Sequence, residues 1–172
     1  MPGWFALFFL FFISIDAWSQ QCDISRPAST PDDQFVINDD GTVTVLESGL
    51  TWMRCVVGQQ WNGKKCSGEA MRFDWGSAFK EEDKMNSGAG YAGLNNWRLP
   101  QVAELASIVE RQCINPRINL SVFPLTPAAS FWTGNHKKNS TEKMAFAMSF
   151  DKNGVQKRLQ QEKLYLRLVS GR

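Results

Sequence analysis

The sequence predicts an α+β domain: a mostly antiparallel sheet with two helices between its strands, held by disulfides. Three observations carry this. Short β-rich runs gather toward the two ends of the chain, and two stretches with helical apolar stripes lie between them. Four cysteines stand in 172 residues beside a single histidine. In a small exported domain an even cysteine count reads as a disulfide framework.

Export is signalled at the start of the chain. Trp4 to Ile15 is an almost unbroken apolar run, shorter than the roughly 20 residues a bilayer-spanning helix needs. Ala17 and Ser19 then supply small residues at the −3 and −1 positions, so residues 1–19 read as a signal peptide and the mature chain as starting near Gln20. The first four residues lack Lys and Arg, which leaves an uncleaved anchor as the rival. A lipoprotein is disfavoured, because Gln21, not a small residue, stands immediately before Cys22. The expected location is extracytoplasmic, in the periplasm or secreted to the cell surface, with no membrane span after cleavage.

Residues 20–34 hold Pro27 and Pro31 and no apolar periodicity, and read as an extended N-terminal segment. The domain proper spans 35–172. Phe35-Val36-Ile37 and Thr42 to Leu46 flank Asn38-Asp39-Asp40-Gly41, a hairpin pattern. Glu47-Ser48-Gly49 turns into a third strand, Leu50 to Arg54, ending at Cys55. Asp74 is placed to cap a helix from Trp75 to about Met85, with Trp75, Ala78, Phe79 and Met85 broadly on one face. A second helix is expected from Pro100, with Val102, Leu105, Ile108 and Val109 as its stripe. Past Cys113 an irregular stretch runs to Ala129. Strands are expected to return at Ser130–Thr133, Met144–Phe150 and Leu164–Val169, the last two separated by a turn and a charged tract.

Four cysteines allow three connectivities. Cys55–Cys66 closes a compact loop and is favoured, which leaves Cys22–Cys113, with Cα atoms expected roughly 4.4–6.8 Å apart in each pair. Zinc is the rival reading, but short C-x₂₋₄-C spacing is missing and His136 is remote in sequence. Formal charge is +2; loss of Asp16 with the signal peptide makes it +3, too little to argue for nucleic acid.

The ordered set Asp40-Gly41-Thr42-Val43-Thr44, Gly49 to Cys55, Trp61-Asn62-Gly63, Cys66, Asn96 to Pro100, Cys113, Asn115-Pro116, Val122-Phe123-Pro124, Phe131-Trp132 and Arg167-Leu168-Val169 resembles the C-terminal domain family of Legionella collagen-like protein (Lcl), a branch of the C-type-lectin-like superfamily. The resemblance covers essentially the whole mature chain. It implies a C-type-lectin-like fold and extracytoplasmic residence; the name-giving member is an adhesin for sulfated polysaccharide. Formylglycine-generating enzymes of that superfamily share an Arg-Leu-Pro element like Arg98-Leu99-Pro100 but need a late cysteine pair for copper, and no cysteine follows Cys113. The Glu-Pro-Asn or Gln-Pro-Asp triplets of calcium-dependent lectins are missing too; Asn115-Pro116-Arg117 is a fragment of that pattern. No cofactor is therefore expected; Ca²⁺ stays open, without support from the sequence.

Read from their own neighbourhoods, Trp52, Trp75, Trp97 and Trp132 belong to the core, and Arg98 needs an acceptor, for which Glu104 is placed. Trp61 differs, lying in a Gly- and Lys-containing disulfide loop where an indole is expected to be exposed. One histidine and no spare thiol leave no parts for His-based nucleophilic catalysis, and the chain is read as not an enzyme. His136 is expected in a polar loop, and Asp39-Asp40 and Glu81-Glu82-Asp83 as solvated acids. The expected function is a binding or adhesion domain for polysaccharide or another anionic surface, using Trp61, Lys64, Lys65, Lys137 and Lys138. The alternative is a protein-interaction or assembly component of a bacterial cell-envelope machine, with an envelope protein as partner.

Overall fold

A computed structural model describes residues 19–136 and 143–171. The signal-peptide reading thus falls almost wholly outside the described residues, as do Lys137 and Lys138. Among the described residues no helix is long and apolar enough to cross a membrane.

The chain begins with β1 (Gln21–Cys22), followed by a 3₁₀ turn at Asp32–Gln34. Then come the hairpin β2 (Phe35–Ile37) and β3 (Thr42–Val45), and β4 (Thr51–Met53) alongside. The small hairpin β5 (Gln60–Trp61) and β6 (Cys66–Ser67) precedes β7 (Arg72–Phe73) and helix α1 (Trp75–Met85). After β8 (Trp97–Arg98), α2 (Val102–Ser107) and β9 (Cys113–Ile114), the chain runs through β10 (Ser130–His136), β11 (Met144–Ser149) and β12 (Gly154–Leu159). It ends on β13 (Leu164–Tyr165) and β14 (Val169–Ser170). Two five-stranded sheets result, in the orders β2-β3-β4-β14-β8 and β12-β11-β10-β13-β7, with two-stranded ladders β1-β9 and β5-β6. All pairings between these strands are antiparallel except β10 with β13. The fold is a disulfide-stabilised α+β domain.

Local chemistry sets the element ends. The Asp74 carboxylate accepts the Ser77 N–H at 2.8 Å, capping α1. Helix α2 starts at Val102, two residues later than Pro100. The Pro100 carbonyl is engaged by the Gly134 N–H of β10 (2.9 Å), and Glu104 reaches back to the Gln101 N–H (2.6 Å), so the first turn forms after the proline. The tract after Gly154, expected to be a charged connection, is the six-residue strand β12. His136, expected in a loop, ends β10 with its ring 5.3 Å from that of Trp75.

Two apolar clusters fill the interior. Phe35, Trp52, Leu105, Ile108, Phe123, Phe131 and Phe150 belong to the first, which α2 closes. Trp97, Trp132, Ala78, Leu166 and Leu168 belong to the second, under α1. Trp52, Trp97 and Trp132 are buried; Trp75 is half-buried and gives its indole N–H to the Thr133 carbonyl (2.9 Å). Arg98 meets Glu104 through both terminal guanidinium nitrogens, Nη1 at 2.8 Å and Nη2 at 2.6 Å. Glu82 is not the solvated acid expected. It is half-buried and accepts the Leu99 N–H (2.8 Å), and desolvation raises its pKa.

Cys55 and Cys66 are bonded with Cα atoms 5.5 Å apart, and Cys22 with Cys113 at 4.0 Å. The second distance falls below the expected range. Cys22 and Cys113 face each other across the β1-β9 ladder, and the neighbouring Asp23 N–H bonds to the Gln112 carbonyl, so theirs is the close, non-hydrogen-bonded kind of pair.

Candidate functional site

The Cys55–Cys66 bridge ties the end of β4 to a hairpin whose tip is Asn62-Gly63-Lys64-Lys65. The Asn62 side-chain oxygen accepts the N–H groups of Lys64 and Lys65 (3.1 and 2.9 Å), shaping a turn that leaves both ammonium groups in solvent. Trp61, at the base of this turn, is half-buried, against the expectation of an exposed indole. Its N–H donates to the Asp39 carbonyl (2.9 Å), and the Arg54 guanidinium lies 4.8 Å from its ring centroid. Arg54 is itself fixed, its Nε donating to the Val122 carbonyl and its Nη2 to that of Ser121.

Gly41 is the hinge of this arrangement. Its φ is +85°, and a Cβ there would stand 2.5 Å from Trp61 Cγ and 2.7 Å from the Tyr91 hydroxyl. Its carbonyl accepts the Arg54 N–H (3.0 Å) and the Tyr91 hydroxyl (3.4 Å). The β2-β3 turn and the disulfide hairpin are thus pressed together, so Lys64 and Lys65 share their region with the exposed carboxylates of Asp39 and Asp40. Arg54, Gly41, Asp39 and Tyr91 were missed by sequence reasoning, since only the fold brings them to Trp61.

Beneath this region Arg167 is fully buried. Its Nη1 donates to the carbonyls of Met53 (2.6 Å) and Arg54, its Nη2 to the Thr126 hydroxyl, and the guanidinium carbon lies 4.9 Å from the Phe123 ring centroid. Burial pushes its pKa down to about 9, so it stays charged at neutral pH. It therefore clamps the chain leading into Cys55.

A second buried charge anchors the N-terminal segment. The Glu110 carboxylate, 3 % exposed, accepts the N–H and hydroxyl of both Ser29 and Thr30 and the N–H of Gln112, at 2.7–3.0 Å. Burial alone would raise its pKa. The donors, led by the Ser29, Gln112 and Thr30 N–H groups, outweigh burial and hold it at about 2. Among the described residues no group of three or more His, Cys, Asp or Glu is placed to hold a metal ion.

Fold and site define a disulfide-stapled α+β module with a rigid aromatic-and-lysine hairpin at its surface. The family model of the Lcl C-terminal domain matches residues 41–170, and the chain belongs to that family. No curated protein matches it. Family membership points to a non-catalytic extracellular domain.

Proposed function

We propose that the protein works outside the cytoplasm as a binding domain for anionic polysaccharide, through the Cys55–Cys66 hairpin. The observation that carries this is the fixed indole of Trp61, anchored to Asp39 and flanked by Arg54, beside the exposed Lys64 and Lys65. A disulfide-closed hairpin presents these groups without a large ordering cost on binding. The exposed part of the half-buried ring, left uncovered by Arg54 and Gly41, offers a stacking surface, and the lysines offer charge to sulfate or carboxylate groups. Lys137 and Lys138 complete the proposed contact set.

A glycan array probed with the mature protein tests this reading. Sulfated or uronic-acid glycans should give the signal, and Trp61→Ala should abolish it with the disulfides intact. A signal indifferent to Trp61 and to both lysine pairs would overturn the assignment. The second reading, assembly with an envelope protein, is favoured by apolar side chains left at sheet edges: Val36, Ile37 and Leu46 near β2, and Val155 and Leu159 on β12. Pull-down from envelope extract, with one stable partner and no glycan signal, would select it.

A further inference from the structure

Each five-stranded sheet has one covered end and one open end. At the covered ends, β7 and β8 are two-residue strands packed by α1. At the open ends stand β2 and β12. The hydrogen bonds flanking β2, Asn38 N–H to Thr42 carbonyl and Leu46 N–H to Gln34 carbonyl, fix its register. They turn the Ile37 N–H and carbonyl and the Phe35 carbonyl away from β3. The Gln160 N–H to Lys143 carbonyl bond fixes β12 likewise, turning the N–H and carbonyl groups of Val155 and Lys157 outward. None of these groups meets a hydrogen-bond partner among the described residues. Unpaired edge groups of this kind are templates for pairing with another strand.

The two edges are unlike in charge and alike in apolar content. Residues 27–53 carry Asp32, Asp33, Asp39, Asp40 and Glu47 and no Lys, Arg or His. Residues 143–163 carry Lys143, Lys152, Lys157, Arg158 and Lys163 against Asp151 and Glu162. Glu162 is taken up by Arg158, while Lys143 and Lys157 form no ion pair among the described residues. Val36 (45 % exposed) and Ile37 (48 %) lie on the acidic edge, and Val155 (50 %) and Leu159 (40 %) flank Lys157 on the basic one. Apolar side chains that face water on both edges would be covered if the edges met.

We propose that β2 of one copy pairs with β12 of a second copy, joining sheets of successive molecules head to tail. Because the two surfaces differ, the contact is heterologous: each molecule keeps one unused edge, and association continues into a ring or a filament. Charge complementarity sets which edge meets which and makes the contact sensitive to salt. This goes beyond the polysaccharide reading: neither edge strand includes Trp61, Lys64 or Lys65, although Asp39 and Asp40 at the end of the β2 edge border that site. Its consequence for that reading is avidity, because aligned copies would engage one long glycan at several points.

Mass measurement by sedimentation equilibrium on the mature protein tests the proposal. The average mass should rise with concentration at low salt and fall back toward the monomer at high salt. Lys157→Glu places a like charge opposite the acidic edge, and Ile37→Lys places one opposite the basic edge. Each alone should weaken association by roughly tenfold or more. Mixing the two should restore it, because the new lysine then faces the new glutamate while the other contact is native. Circular dichroism and a thiol assay confirm that each variant is folded and bridged. A wild-type mass that stays monomeric at all concentrations, or a mixture no more associated than its components, overturns the proposal.

Discussion

Glu110 should make this domain acid-labile, by an amount that its surroundings set. The carboxylate is 3 % exposed and receives five donors from Ser29, Thr30 and Gln112. Its pKa falls from 4.5 in the unfolded chain to about 2 in the fold. At about 1.4 kcal/mol per pH unit, that gap is worth on the order of 3 kcal/mol. Because the folded value is the lower one, this stability is fully present above pH 4.5 and drains away as pH falls toward 2. Glu110→Gln keeps the volume but sets an amide N–H₂ against some of the donors now met by carboxylate oxygen. Urea unfolding of wild type and variant at a series of pH values reads the difference directly. Other carboxylates are also shifted downward, Asp74 and Glu104 among them, so the difference between the two profiles is the informative quantity. It should be about 3 kcal/mol near neutrality and shrink steadily below pH 4.5. A difference independent of pH would refute the account of Glu110 as an ionised anchor for the N-terminal segment.

Three further substitutions test the architecture behind the hairpin. Gly41→Ala meets both a φ of +85° and the Trp61 ring, and should cost at least about 1–2 kcal/mol while moving the Trp61 indole N–H resonance off its Asp39-bonded position. Arg98→Lys loses the two-pronged contact with Glu104 and should lower stability by about 1 kcal/mol, seen as a lower melting temperature in calorimetry. Arg167→Met strands the carbonyls of Met53 and Arg54 and the Thr126 hydroxyl, and should cost about 2 kcal/mol or more by urea midpoint.

Where local chemistry decides the structure, the sequence is readable. Asp74 before Trp75, the Asp-Gly turn at 40–41 and the six-residue gap from Arg98 to Glu104 all mark features the structure contains. The failures are of another kind. Strand β12 alternates Val155, Lys157 and Leu159 outward at a sheet edge, where no buried face imposes an apolar pattern and the charges read as a connection. Glu110 sits outside any periodic element, and four of its five donors lie 80–81 residues earlier in the chain. Arg167 did leave a signal, one cation inside the apolar run Leu164 to Val169. The cover on Trp61 left none, because Arg54 and Gly41 reach it only through the stacking of two hairpins. The aromatic and lysine content of the site was therefore legible, while its rigidity and its acidic neighbours were not.

The central claim is that the Cys55–Cys66 hairpin binds anionic polysaccharide, and calorimetric titration of the mature protein with heparin tests it most directly. Binding should be saturable at low salt, weaken steadily as salt rises, and be lost in a Trp61→Ala, Lys64→Ser, Lys65→Ser variant that keeps both disulfides. Absence of binding at low salt, or equal binding by that variant, would contradict it.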